Sequence, residues 1–469
     1  MVFSSLTFMF VFLPIVLLLY YVAPKKLKNL FILISGIVFY AWGEPIYVLI
    51  MIASTMIDYT AGLLIDKFNS KTAVKRICLI VSLVMNIGLL GVFKYSGFIM
   101  QNIDAIFGTT LYDPAHALPL PIGISFFTFQ SMSYTIDMYL GKIKVQKNPI
   151  TFAAFVTLFP QIVAGPIVRY DDIAAELDNR TVDLNCIYEG IIKFITGIGK
   201  KVLIANNIGM LWTAVKGSET GELSVLTAWL GIIAFTLQIY FDFSGYSDMA
   251  VGLGKMMGFN FPKNFDYPYQ SKSISEFWRR WHITLGAWFK SYVYFPLGGS
   301  RKGMKRTVFN LAVVWLLTGI WHGASWNFIL WGVLYGVLII MEKLFLGKVL
   351  EKIPTFFSWL YTILLVILGW VLFDTADIPT AFGYMGAMFG GNGVLLDNES
   401  MYYLINYGLI LVFGIFACTN LSVKLFDKLR EKLPTVMNYL TPAAKLAVLV
   451  LSTAYLTDAT YNPFLYFNF

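Results

Sequence analysis

Three histidines occur in the 469-residue chain, and each stands in a different chemical setting. His322 lies in LTGIWHGASWNF (317–328), flanked by Trp321 and Trp326 inside a run otherwise built of Leu, Val, Ile and Ala. An ionisable side chain in such a run is costly and usually lines a cavity or a pathway. A desolvated imidazole stays neutral and keeps a lone pair that can take a proton from a hydroxyl. The same residue could instead make a helix-packing hydrogen bond, with the tryptophans as interfacial anchors. His282, in EFWRRWHITLG (276–286), has Arg279 and Arg280 within one turn. Guanidinium groups bind phosphate through two parallel hydrogen bonds, so this cluster suits either the entry for a phosphate-bearing donor or a contact with anionic lipid. His116, beside Asp113 and Pro114, reads as an exposed polar residue of a loop.

Other chemistries lack their residues. Cys78, Cys186 and Cys418 make neither a disulfide framework nor a zinc cluster, and no further ligands stand at metal-binding spacing. Gly252 and Gly254 in VGLGKMMGF lack the strand-then-helix context of a dinucleotide site and read as helix packing or a bend. With no GxSxG elbow and no P-loop, serine hydrolysis and ATP-driven transport lose support.

The elements that must position the histidines are membrane helices. Hydrophobic residues make up 58% of the chain and charged residues only 13%, far below the roughly 25% of soluble proteins. The formal charge of +8 fits Lys/Arg-rich cytoplasmic loops rather than a nucleic-acid site. Apolar runs at about 2–22, 30–42, 46–65, 77–98, 119–140, 187–211, 225–243, 356–373, 401–419 and 437–456 read as spans, the first retained rather than cleaved. Lys71, Lys144 and Lys428 mark loops expected inside, whereas Asp113, Glu219 and Asp397 mark loops expected outside. Charge balance around 307–341 favours two short helices with a break near Trp321, His322 and Gly323, which gives twelve spans with both termini outside; the alternative is one long tilted helix with another segment re-entrant.

Two stretches resist a simple crossing. Residues 150–180, interrupted by Pro160, Gly165 and Pro166, read as a re-entrant or interfacial element. Residues 244–306 are too basic to cross and too aromatic for a solvated linker, so a folded cytoplasmic or partly embedded layer is expected. The whole is read as one domain, with N-terminal spans to 117, a core over 118–345 and C-terminal spans over 346–469.

Several ordered blocks carry a family resemblance: LFPQIVAGPIVRY (158–170), QIYFDFSGYSDMAVGLGKMMGF (238–259), NFDYPYQSKSISEFWRRWHITLGAWF (264–289), YFPLGGSRKG (294–303), LTGIWHGASWNFILWG (317–332) and NPFLYFNF (462–469). Together they resemble the membrane-bound O-acyltransferase family, and within it the bacterial alginate O-acetylation branch. The resemblance implies an all-α membrane fold, a ring of helices with a central tunnel, in which His322 is catalytic and His282 is the second active-site histidine. Arg279, Arg280, Trp281 and Trp321 would then border the donor. One departure is local: Lys290 and Ser291 precede Tyr292 where relatives usually carry Arg-Asp, so an ion pair built on that aspartate does not carry over.

The implied activity takes an acetyl group from a cytoplasmic thioester, acetyl-CoA or an acyl-phosphopantetheine carrier, with no permanently bound cofactor and no metal. The group would cross a bacterial inner membrane to O-acetylate an extracellular or cell-wall polysaccharide, with an extracytoplasmic SGNH-type transferase as partner. Basic residues over 255–306 would attract the anionic donor. The competing readings are D-alanyl or other acyl transfer from a carrier protein, and a polysaccharide or lipid-linked sugar transporter without chemistry. A transporter should carry internal repeats, and no repeat relates the two halves of this chain.

Overall fold

The computed structural model describes residues 1–116, 118–163, 165–458 and 464–465, and the described residues contain helices and no strands. The side chain of His116 and most of the closing block 462–469 lie outside the described residues.

The helices group into two compact units, Met1–Phe194 with Met249–Pro262, and Ile195–Asp248 with Lys263–Phe469. The first holds α1 (Phe8–Val22), α2 (Lys28–Ala41), α3 (Val48–Lys67), α4 (Thr72–Phe107), α5 (Ile124–Tyr139), α6 (Pro149–Val156) and α7 (Tyr170–Asp178). Next come α8 (Leu184–Gly199), α9 (Asn207–Gly217) and α10 (Val225–Met256), and two short helices α11 (Ile274–Arg280) and α12 (Ile283–Phe289). The remainder are α13 (Met304–His322), α14 (Trp326–Leu350), α15 (Thr355–Asp374), α16 (Ile378–Met388), α17 (Asn398–Ala417), α18 (Leu421–Lys432) and α19 (Pro434–Asp458).

Every apolar run read from the sequence coincides with a helix, and among the described residues seven helices, α3, α4, α10, α14, α15, α17 and α19, are long and apolar enough to cross a bilayer. Their outer faces suit lipid rather than water: Leu409 and Ile405 of α17 are 85% and 76% exposed. Contiguous apolar surface of that kind is what a soluble protein avoids.

In the first unit a charge is buried at span depth. Asp58 of α3 has no exposed surface; it accepts two hydrogen bonds from the Asn86 amide at 2.9 and 3.0 Å and one from the Ser82 hydroxyl at 2.6 Å. Satisfied in this way, the carboxylate fastens α3 to α4 instead of disrupting them. Residues 150–180 are broken as their prolines require, into α6, a single turn Phe159–Ile162, and α7. Gly123, at φ +76°, permits close approach to this turn, since a Cβ there would stand 2.4 Å from the Ile162 carbonyl oxygen.

One expectation is corrected. The polar layer does not begin at residue 244, because α10 continues to Met256. The charges that argued against a helix are paired: Asp248 binds Lys200 at 2.7 Å, and Lys255 binds Glu189. Gly252 contributes through packing, its Cα lying so close to α8 that a Cβ would meet the Gly190 carbonyl at 2.6 Å.

Candidate active site

Both candidate histidines belong to the second unit. His322 is the last residue of α13, and Gly323, at φ −172°, leads in extended conformation to Ser325, whose hydroxyl accepts from the Phe328 N–H at 3.5 Å as the N-cap of α14. The helices are held close by glycine: a Cβ on Gly319 would lie 2.4 Å from the Phe328 carbonyl, and one on Gly332 would lie 2.5 Å from the Trp315 carbonyl. The expected hairpin over 307–341 is therefore present, with its break beside His322.

The His322 imidazole is 3% exposed and enclosed by aromatic rings. Trp331 lies 4.9 Å away between centroids, Trp321 5.0 Å and Phe373 of α15 5.4 Å, each meeting it edge to face. Such a shell leaves the ring almost no accessible surface.

His282 joins α11 to α12 in a left-handed backbone conformation, φ 45° and ψ 52°. A non-glycine residue held there is strained, and such strain concentrates at functional positions. Three supports over-determine it. The Ser273 hydroxyl caps the start of α11, accepting from the Glu276 N–H at 3.0 Å. The buried Glu342 carboxylate accepts from the Ile274 and Ser275 N–H groups at 2.6 and 2.8 Å, meeting the positive end of the same helix. Asn264 receives the chain on the far side, its carbonyl accepting from the Ile283 N–H at 2.9 Å.

The side chain of Asn264 completes this support. Its Oδ1 lies 3.1 Å from His282 Nδ1 and also accepts from the Thr284 N–H at 3.3 Å and the Thr284 hydroxyl at 2.9 Å. Its Nδ2 donates to the Ser247 hydroxyl at 3.1 Å. On the ring faces, Phe243 stands 4.7 Å from His282 edge to face, and Trp321 6.1 Å. His282 lines an apolar cavity of about 230 Å³ together with Trp281, Lys290, Tyr294, Trp315 and Thr318.

The predicted donor residues separate into two kinds. Arg279 is exposed. Arg280 is committed to the protein: it binds Glu276 at 2.9 Å, donates to the Asp266 carbonyl at 3.2 Å and lies 3.9 Å from the Asp266 carboxylate. Trp281 is 2% exposed and packs on Phe277, Phe265 and Trp370, and Trp321 is 4% exposed between the two histidines. Among the described residues no group of three His, Cys, Asp or Glu side chains could hold a metal ion.

The sequence reading missed Asn264, Thr284 and Glu342. Asn264 stands eighteen positions before His282 in a loop without periodicity. Glu342 is a single carboxylate ending an apolar run, where nothing in the sequence points to α11.

Comparisons with known proteins identify the family. The family profile described as "MBOAT, membrane-bound O-acyltransferase family" matches residues 140–377, which include both histidines. A probable alginate O-acetylase of Pseudomonas putida is 39% identical, with 100% of each chain covered. A peptidoglycan O-acetyltransferase of Helicobacter pylori is 31% identical over 100% of this chain and 98% of its own. A teichoic acid D-alanyltransferase of Bacillus subtilis is 30% identical over 57% of this chain and 71% of its own. With both histidines inside the matched region and full-length similarity to acetyl-transferring relatives, the chain belongs to the membrane-bound O-acyltransferase family and is a multi-pass membrane acyltransferase.

Proposed function

We propose that this acyltransferase moves an acetyl group from a cytoplasmic thioester, acetyl-CoA or an acyl-phosphopantetheine carrier, across a bacterial inner membrane for O-acetylation of an extracellular or cell-wall polysaccharide. The observation that carries the reading is full-length similarity to proteins named for O-acetylating alginate and peptidoglycan, two extracytoplasmic glycans. Twelve crossings around a central tunnel, one catalytic domain and an SGNH-type partner belong to the same proposal.

In the chemical step a hydroxyl oxygen attacks the thioester carbonyl while the neutral His322 imidazole takes the hydroxyl proton. The C–O bond of the ester forms, the C–S bond breaks, and the departing thiolate recovers the proton from the imidazolium. Proton transfer of this kind is worth roughly 10²–10⁴-fold, and the ring shell around His322 favours it by keeping water out. His282, lining the neighbouring cavity, would face the acyl donor, with exposed Arg279 meeting its phosphates.

The test is a deletion strain complemented with wild-type protein or with His322→Ala. Ester-linked acetate on the surface polysaccharide should return only with the wild type, and unchanged acetate in the deletion strain would reject the acceptor class. D-alanyl transfer is a second reading, favoured by the similarity to the teichoic acid D-alanyltransferase. It predicts esterified D-alanine instead of acetate in the same hydrolysate.

A further inference from the structure

We infer that Asn264 is a positioning residue for acyl transfer, fixing His282 as the Nδ1–H tautomer so that its accepting nitrogen is Nε2; this rests on the active-site role proposed above for His282. The amide orientation is not a free choice. The Thr284 backbone N–H can only donate, and it points to the same Asn264 atom that faces His282 Nδ1, so that atom is the carbonyl oxygen Oδ1. The Nδ2 end is spoken for by the Ser247 hydroxyl. An oxygen that accepts from Thr284 twice and faces Nδ1 at 3.1 Å requires a proton on Nδ1. In a neutral imidazole the lone pair is then on Nε2.

The surroundings make this tautomer consequential. His282 is 1% exposed and Asn264 2%, so neither can exchange partners with water easily. Phe243, Phe265 and Trp321 present uncharged rings, and the titratable groups lining the shared cavity are Lys290 and Tyr294. Nearby charges are paired elsewhere: Arg280 with Glu276 and Asp266, and Asp242, beside Phe243, with Lys201. His282 lies outside the helices long enough to span, and burial lowers its pKa from the ordinary imidazole value, which keeps it neutral. A neutral ring has two tautomers, and Asn264 selects one.

The experiment uses full-length protein in detergent or vesicles, acetyl-CoA as donor, and the variants Asn264→Leu, Asn264→Asp and His282→Ala. Because the chain has three histidines, ¹⁵N-histidine labelling with assignment by the His282→Ala spectrum reads the tautomer directly. Wild type should show Nδ1–H at His282. Asn264→Leu should mix the tautomers and lower kcat at least tenfold with a smaller change in KM. Asn264→Asp keeps the acceptor but stabilises the imidazolium, so it should retain more activity than Leu, and the acidic limb of its rate profile should move to higher pH.

Wild-type kcat in folded Asn264→Leu, or an Nε2–H signal in the wild type, would overturn the assignment. Should the leucine variant fail to fold, an unmoved acidic limb in Asn264→Asp would overturn it equally. If His282→Ala is fully active, the active-site reading of His282 falls and this inference with it. If His282→Ala is inactive while both Asn264 variants behave as wild type, only the positioning role is lost.

Discussion

The His282 and His322 imidazoles share one indole: the Trp321 ring stands 6.1 Å from the first and 5.0 Å from the second. One comes from the α11–α12 junction and the other from the end of α13, so Trp321 sets a common boundary for two separately anchored side chains. Changing Trp321 to Phe should disturb both rings together, whereas Trp326, exposed at the other side of the break, should tolerate the same change. Parallel turnover measurements on the two variants check this, and equal activities would contradict it.

His322→Ala and His322→Gln should both remain folded in the membrane and both lose acyl transfer by roughly two orders of magnitude or more. Glutamine can donate and accept hydrogen bonds but cannot take a proton at this pH. Strong activity in Gln with little in Ala would reduce His322 to an orienting residue.

The two arginines should part company. Arg279→Glu should raise the KM for an anionic donor several-fold at low salt, and the difference should shrink as salt screens the wild-type attraction. Arg280→Glu faces Glu276 and Asp266 with a like charge, so its first effect should be a lower melting temperature. A melting scan beside donor titrations at two salt concentrations distinguishes them.

Lys201 and Asp242 form an ion pair at 2.5 Å, their side chains 5% and 1% exposed. Removing one partner strands a buried charge, and either Lys201→Met or Asp242→Leu should cost about 3–5 kcal/mol. The double change to Met and Leu should recover part of that loss, although the Leu465 N–H, which donates to Asp242 Oδ2 at 2.9 Å, would lose its acceptor. Thermal unfolding of the three variants gives the coupling.

Gly319→Ala and Gly332→Ala drive a methyl into backbone oxygen of the facing helix and should destabilise by about 1–3 kcal/mol each. Gly88→Ala in α4 meets nothing within 4 Å, so it should be neutral or slightly stabilising. Equal behaviour at all three sites would mean that the α13–α14 contact is looser than described.

Single cysteines at Lys71 and Lys428 should resist a membrane-impermeant thiol reagent in intact cells, while cysteines at Asp113 and Glu219 should react. All four side chains are exposed, so labelling reports sidedness rather than burial. Strong labelling at 71 or 428 would reverse the proposed orientation.

What was legible in the sequence follows from the range of each signal. The break at His322 could be read because an apolar run with basic residues at both ends cannot satisfy the charge asymmetry in one crossing. The breaks over 150–180 could be read because proline acts locally. The end of α10 could not, since Asp248 and Lys255 look unfavourable until Lys200 and Glu189 are known to meet them. Asn264 and Glu342 were invisible for the same reason: their work is done on residues far along the chain, and one sequence records no distances. Arg279 and Arg280 are adjacent and chemically identical, and only their neighbours tell which is occupied.

The backbone at His282 has an evolutionary consequence. Asparagine and glycine enter the left-handed region more readily than histidine, so, on the active-site role proposed for His282, the cost at φ 45° is borne for the imidazole and not for the turn. A library screened only for thermal survival should therefore drift toward Asn or Gly at position 282, whereas one screened for acyl transfer should retain His; activity and robustness pull this single codon in opposite directions.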